Sequence, residues 1–328
     1  MPVLVTGGAG YIGSHMVWDL LRRGERVVVI DNLSTGTREL VADEAVFVEA
    51  DAGDRVRVAQ VIDEHGIDAI IHFAGSIVVP ESVEKPLDYY ANNTVVARNL
   101  IEAAVRAKVR HFIFSSTATV YAGASPEPLG EDLPTGPLSP YGRSKMMTEW
   151  MLEDASRAYD FKHVVLRYFN VAGADPEGRS GQVSARATHL IKRACQTALG
   201  RLDHLDIFGT DYPTSDGTCV RDYIHVSDLV AAHGLALDYL RGGGASATMN
   251  CGYGHGASVR EVIAAVERAI GRPLPVREAP RRAGDPPCLV ADSRRIRETL
   301  GWTPVHDDLD EIVGTAYAWE SRLNAASS

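Results

Sequence analysis

Tyr141 and Lys145 stand four residues apart in the run Tyr-Gly-Arg-Ser-Lys. Residues at this spacing share one face of a helix, so a phenol lies beside an ammonium. A free tyrosine titrates near ~10, too high for a general base at neutral pH. A neighbouring positive charge favours the phenolate. Lys145 is therefore expected to lower the Tyr141 value, and a phenol tuned in this way takes a proton from a sugar or alcohol hydroxyl. The spacing alone is common on exposed helices; its weight comes from the rest of the chain.

The chain begins with an apolar run, Val3-Leu4-Val5, followed by Thr6-Gly7-Gly8-Ala9-Gly10-Tyr11-Ile12-Gly13 and a helical pattern from Ser14 to Arg23. A second run, Val27 to Ile30, ends at Asp31. Strand, glycine turn, helix, strand, acid is a dinucleotide-binding order. The glycines allow the tight turn and bring backbone N–H groups to a pyrophosphate at the helix N-terminus. Asp31 stands where an acid accepts from the adenosine ribose hydroxyls. It also repels a 2′-phosphate, which selects NAD over NADP.

Strands and helices must alternate to position these groups. Val46–Val48, Ala69–Phe73, Val109–Ser115 and His163–Tyr168 read as strands. Arg55–His65, Pro86–Lys108 and Ser139–Tyr159 read as helices. This rhythm predicts an α/β fold, a doubly wound parallel sheet of the NAD-binding Rossmann type with a smaller α/β C-terminal domain. Residues 1–170 are expected to form the first domain, with a return segment near 218–252, and residues 171–328 mainly the second. Ligands in such sheets bind beyond the carboxyl ends of the strands. Asp31, Asp51, Phe73–Gly75, Ser115–Thr117 and Tyr168–Asn170 all fall there. Further on, Asp175–Gly181 reads as a boundary or mobile loop, Arg186–Leu199 as a helix and Thr218–Tyr223 as a strand. A helix from Ser227 to Leu240 should begin at a Ser or Asp cap. Ser258 with Glu261 forms a capping box for the helix to Ile270, and the last helix runs from about Asp308 to Leu323.

The 328 residues carry a net charge of -10 with 45% hydrophobic and 23% charged residues. This balance argues against nucleic acid or an anionic membrane as partner. The 4 cysteines make no Cys-x-x-Cys pair, and the 11 histidines no His-Glu-x-x-His, so neither a disulfide framework nor a metal site is expected. No apolar run is long enough to span a membrane. Met1-Pro2-Val3 leads straight into a strand without a leader, so a cytoplasmic location is the expectation.

The chain resembles the extended short-chain dehydrogenase/reductase family, in particular its UDP-glucose (UDP-galactose) 4-epimerases. The resemblance rests on Val5–His15, Asp31-Asn32-Leu33, His72-Phe73-Ala74-Gly75, Glu81-Ser82-Val83, Phe114–Tyr121, Ser139–Lys145, Leu166–Asn170 and Gly217–Asp228. It implies reversible NAD-dependent 4-epimerisation of UDP-galactose and UDP-glucose through a transient 4-keto sugar. Tyr141, Lys145 and Thr117 are implied as catalytic. Gly7, Gly10, Tyr11, Ile12, Gly13, Asp31, Asn32, Asp51, Ala52, Phe73, Ala74, Gly75, Asn92, Ser115 and Tyr168, with Tyr141 and Lys145, are implied to hold NAD. Asn93, Phe169, Asn170, His189, Arg221, Arg282, Asp285 and Cys288, with Thr117 and Tyr141, are implied to hold the UDP-sugar. A homodimer through the helices near Pro86–Lys108 and Ser139–Tyr159 is also implied.

Three positions depart from the pattern. Ile77 replaces a cofactor-contacting Lys, His189 replaces an Asn, and Cys288 occupies the place of a side chain that limits sugar size. A small Cys leaves room for N-acetylated sugars, so activity on UDP-GlcNAc and UDP-GalNAc is expected too. The competing readings are a primary UDP-GlcNAc 4-epimerase, a nucleotide-sugar 4,6-dehydratase and a non-catalytic NAD-sensing protein. A dehydratase needs Asp-Glu after Thr117, where this chain has Ala118-Thr119. An NAD sensor commonly lacks the Tyr/Lys pair.

Overall fold

In the computed structural model, residues 122, 124–127, 185–187, 283–284 and 327–328 lie outside the described residues. Strands β1 (Pro2–Thr6), β2 (Arg26–Asp31), β3 (Val46–Glu49), β4 (Ala69–His72), β5 (His111–Thr117) and β6 (Lys162–Tyr168) join Ala247–Cys251 in one sheet. All neighbours are parallel. From one edge the order is Ala247–Cys251, β6, β5, β4, β1, β2, β3. Chain direction across the sheet reverses at β1, which pairs with both β2 and β4. The crevice for a ligand opens at such a point.

Both faces of the sheet are buried, which explains why its strands read as continuous apolar runs. Alternate side chains divide between the faces. Val3, Val5, Val29 and Ile71 join Met16 and Leu20 of the helix Tyr11–Arg22 and Leu229 and Leu237 of the helix Val226–Arg241. Leu4, Ile30, Ile70, Phe112 and Phe114 join Val58 and Val61 of Arg55–His65, Leu100 of Val96–Arg106 and Leu152 of Pro140–Ala158. Each such side chain contributes roughly 1.5–3 kcal/mol on full burial. Beyond the sheet, the helices Leu190–Ala198, Val259–Ile270 and Leu309–Ala326 pack together, beside a small parallel pair of Leu205–Phe208 with Val276–Ala279. Among the described residues, no helix is long and apolar enough to cross a membrane.

Several elements differ from the sequence reading. The segment from Thr218 is two short strands in separate sheets. Val220–Arg221 pairs with Ala257–Ser258 and Cys288–Leu289, and Tyr223–His225 pairs with Asn170–Ala172. Between them the buried Asp222 carboxylate accepts from the backbone N–H of Tyr253, Gly254 and Ala291, which fixes the change of sheet. The next helix is capped by the His225 ring, accepting from Ser227 N at 3.1 Å, rather than by Ser or Asp. The helix expected from Arg186 begins at Leu190, and Arg186 itself lies outside the described residues. The helix Val259–Ile270 carries the Ser258/Glu261 capping box. The loop at 175–181 is tied down rather than loose. Arg179 pairs with Asp175 at 2.7 Å, and the fully buried Ser180 hydroxyl meets Ser14 Oγ at 2.6 Å. The helical stretch from Pro86 contains a π-turn at Tyr90–Val95. No Pro or Gly between Leu87 and Arg106 signals it.

His15, His72, His163, His225 and His233 are buried, and burial is the leading cause that lowers them to about 4, 3, 4, 3 and 4 respectively. Their folded values lie below the unfolded value of about 6.5. From pH 6.5 downward the unfolded chain binds protons that the folded chain refuses. The contribution of each is therefore full above pH 6.5 and is lost as pH falls toward its folded value of about 4 or 3, at about 1.4 kcal/mol per pH unit at most. Calorimetry is expected to show Tm falling steeply between pH 6.5 and 5; a flat Tm there would contradict this account.

Candidate active site

The turn after β1 is built by contacts that only glycine tolerates. Gly7 has φ +73°, and a Cβ there would lie 2.6 Å from Ala74 N at the end of β4. A Cβ on Gly13 would overlap the Gly7 carbonyl, 2.8 Å from its carbon. Gly10 is the N-cap of the following helix and supplies no side chain to its first N–H groups. Those donors and the helix dipole suit an anion. Asp31 closes β2, its carboxylate accepting from Ala9 N at 2.9 Å and Leu33 N at 2.8 Å. Burial raises its pKa, and these hydrogen bonds oppose the rise. Asp51, just beyond β3, accepts from Asn32 Nδ2 at 3.2 Å and Gly53 N at 2.6 Å, with buried Ala52 alongside. Phe73, Ala74 and Gly75 continue β4, and the Phe73 ring lies 4.9 Å from that of His233. Tyr11 donates to Gly173 O at 2.7 Å, while Ile12 packs against the core. A glycine cradle that a Cβ would fill, an uncapped helix start and an acid at the end of β2 fit the pyrophosphate and ribose of a dinucleotide.

Thr117 ends β5, and Tyr141 and Lys145 lie in the first turns of Pro140–Ala158, which starts at a Ser139 cap. All three are buried, at 7%, 9% and 3% exposure. Lys145 Nζ donates to Ser115 O at 2.9 Å and sits 5.0 Å from the Phe114 ring centre. The Ser115 hydroxyl meets the Tyr168 hydroxyl, and burial leads in raising the Tyr168 value. The expectation that Lys145 lowers Tyr141 is corrected. Burial pushes the Tyr141 phenol up to about 12, opposed only by the Thr117 hydroxyl. Burial also brings Lys145 down to about 8. Desolvation of both groups outweighs the attraction inferred from their spacing. Thr117 also caps the short helix Ala118–Val120, accepting from Thr119 N at 3.1 Å.

The π-turn carries Asn92 and Asn93. Asn92 donates to Ser76 Oγ at 2.8 Å. Buried Asn93 accepts from Ser76 N at 2.7 Å and donates to Ser76 O at 3.0 Å and Ser144 Oγ at 2.9 Å. Its amide therefore clamps the loop after Gly75 to the Tyr141 helix, and its polar atoms are committed there. Ile77, in the same loop, is exposed.

On the other side, Asn170 opens the strand paired with Tyr223, and Phe169 packs on the cluster of Val120, Tyr121 and Met146. Arg221 and Cys288 lie on paired strands, and Arg221 Nη2 approaches Asp285 Oδ1 at 3.6 Å. Burial raises the Cys288 thiol, and Arg221 opposes it. The Arg282 guanidinium stacks 3.8 Å from the Phe208 ring centre; the neighbouring Ala283 and Gly284 lie outside the described residues. His189 stands at the start of Leu190–Ala198, its value lowered by burial and then by Lys192. Two arginines of this kind suit a diphosphate through planar, bidentate forks.

Glu149, which the sequence reading did not name, forms a buried polar network with Ser116, Arg167 and Tyr121 behind the helix Pro140–Ala158. Glu149 follows Tyr141 and Lys145 at a further four-residue step, a signal that was present in the spacing.

Residues 3–252 match the model of the NAD dependent epimerase/dehydratase family. The chain is 58% identical over 321 residues to the UDP-glucose 4-epimerase of Azospirillum brasilense, covering 98% of this chain and 92% of that protein. Its fold is similar to the UDP-glucose 4-epimerase from Brucella ovis in complex with NAD, with a TM-score of 0.94, 45% identity and coverage of 97% of each chain. It is also similar to the UDP-Glc/GlcNAc 4-epimerase from Campylobacter jejuni, with a TM-score of 0.87, 47% identity and coverage of 98% and 99%.

Proposed function

The chain belongs to the NAD dependent epimerase/dehydratase family, and from that premise we propose that it interconverts UDP-galactose and UDP-glucose by 4-epimerisation. The observation that carries this reading is the 2.9 Å hydrogen bond from Lys145 Nζ to Ser115 O, which seats the Tyr141/Lys145 face of its helix at the end of β5, in the same sheet whose β1 leads into the glycine cradle. It agrees with the activity named for the relatives of this chain.

Bound NAD supplies a hydride acceptor and donor and, through its cationic nicotinamide, positive charge that favours a phenolate. Tyr141 takes the proton of the sugar 4′-hydroxyl and returns it to the 4-keto sugar after the sugar has turned over. Thr117 holds the reacting oxygen. Lys145, fixed on Ser115 O, carries charge to the same end of β5. Gly7, Gly10 and Gly13 admit the pyrophosphate, and Asp31 takes the ribose. Arg221 and Arg282 take the UDP diphosphate, with Asn170, His189 and Asp285 on the remainder of the substrate. In this division residues 1–170, with the return near 218–252, hold NAD, and 171–328 mainly hold the UDP-sugar. Exposed Leu87, Val95 and Trp150 on the helices expected at a dimer contact support a homodimer, and the reading carries a cytoplasmic location with it.

Cys288 favours the N-acetylated pair as a second substrate. Cys288→Tyr is expected to lower kcat/KM for UDP-GlcNAc by about 10–200-fold, the range set by steric fit in a pocket, with UDP-galactose little affected. Equal loss on both sugars would remove Cys288 from specificity.

Proton NMR of UDP-galactose with purified protein and no added NAD tests the main reading. Growth of the UDP-glucose anomeric signal supports it with a retained cofactor. Growth only with added NAD supports it with an exchangeable one. No growth in either case overturns it and leaves UDP-GlcNAc as the substrate to assay.

A further inference from the structure

Two consecutive residues of β5, Ser115 and Ser116, are each hydrogen-bonded to the helix Pro140–Ala158. The Ser115 carbonyl accepts from Lys145 Nζ at 2.9 Å, and the Thr117 hydroxyl, two residues on, is the group that opposes the rise of the Tyr141 phenol. Between them, the Ser116 hydroxyl donates to the Glu149 carboxylate. Tyr141, Lys145 and Glu149 follow one another at four-residue steps, one face of the helix.

Glu149 is held in turn by Arg167 of β6. Arg167 Nε donates to both carboxylate oxygens at 3.1 and 3.2 Å, and Nη2 to Oε2 at 2.6 Å. Its remaining nitrogen, Nη1, donates to Tyr121 OH at 3.2 Å, and Tyr121 donates to Asn250 Oδ1 at 2.6 Å. Asn250 belongs to the edge strand Ala247–Cys251 and donates to Leu129 O at 2.6 Å. The ion pair is 7% and 6% exposed. The network therefore joins helix, β5, β6 and the edge strand behind the proposed reacting groups.

We propose that Glu149 and Arg167 are positioning residues, which fix the Tyr141 helix on β5 and so set the Tyr141–Thr117 and Lys145–Ser115 contacts. The alternative is an ion pair that only stabilises the fold. A buried pair is a poor stabiliser, since the desolvation of two charges offsets much of their attraction; replacing both with apolar groups is often neutral, whereas removing one is not. Burial opposes the Arg167 cation, yet hydrogen bonding to and the charge of Glu149 hold its value above the ordinary one. Neither Glu149 nor Arg167 is among the groups that shift Tyr141 or Lys145. The coupling is thus one of geometry, and a displacement near 1 Å can cost about 100-fold in rate.

The role rests on the epimerase reading, and the test separates the two. Glu149→Gln keeps shape and the acceptor for Ser116 but loses the charge. Glu149→Leu with Arg167→Met removes both charges. For each, kcat and KM on UDP-galactose are measured per folded, NAD-loaded site, with the kcat pH profile, Tm and a crystal structure. We expect kcat to fall about 10–100-fold in both variants, with KM held within about threefold and the pH limbs unmoved. The double variant is expected to keep its Tm within a few degrees and still lack rate. Parental kcat in the double variant would overturn the proposal, as would a rate that recovers in step with Tm. If the double variant does not fold, Glu149→Gln alone decides on the same readings. Should the parent protein be inactive on UDP-galactose, the epimerase reading fails on its own. The crystal structures then decide positioning: unchanged Tyr141–Thr117 and Lys145–Ser115 contacts overturn it, and their loss upholds it.

Discussion

Tyr141→Phe is expected to lower kcat for UDP-galactose by about 10²–10⁴-fold, the contribution of a positioned general acid–base. The effect should fall on kcat, with KM held within about threefold, because the lost interaction acts on the reacting proton. Phe keeps the ring volume at a site only 9% exposed, so folding and NAD content should be unchanged. The pH profile gives a second check. Without further charge the phenol stands near 12, held up by burial. Lys145, brought down to about 8 by burial, is protonated below that value. Its folded value lies below the unfolded one, so its burial costs stability at neutral pH, and that cost is relieved as pH rises from 8 toward the unfolded value. A Phe variant retaining parental kcat in a rapid-quench assay would remove Tyr141 from the chemistry.

Gly13→Ala is expected to abolish tight NAD retention. The added methyl would meet the carbonyl of Gly7 and the Cα of Gly8, both backbone, which cannot give way as a flexible side chain can. The turn must open, and the donors that face a pyrophosphate lose their common aim. A weakening of at least about 100-fold, or roughly 2.8 kcal/mol, is expected in NAD affinity. Gly24→Ala is the control. Gly24 also has a positive φ, +78°, but no heavy atom lies within 4 Å of its Cβ. Strain there is expected to cost roughly 1–2 kcal/mol of stability while leaving NAD affinity intact. The NAD content of the purified proteins and calorimetric titration decide. Full occupancy in Gly13→Ala would refute the steric account of the turn.

The same contrast explains what could be read ahead of the fold. Gly7, Gly10, Gly13 and Asp31 were legible because turn, helix start and acid are close in the chain, where local sterics dictate the residue. The parallel sheet was legible because strands buried on both faces carry apolar runs. The π-turn at Tyr90–Val95 had no local mark, since it is held by Asn92 and Asn93 reaching Ser76 and Ser144. Asp222 looked like part of a continuous strand because its partners, Tyr253, Gly254 and Ala291, lie far along the chain.

The sequence by itself determined the alternation of strands and helices up to Tyr168 and the Tyr141/Lys145 face, since each follows from short-range periodicity and residue type, and its motifs carried the resemblance to the family. Only the tertiary structure decided the ionisation of that face and its anchoring. Burial, a property of the whole packed chain, raised Tyr141 and lowered Lys145 against the pairwise charge effect that spacing suggested. Glu149 became part of the site because β6 brought Arg167 behind it, and a contact between strand and helix of that kind is set by the way the sheet is wound.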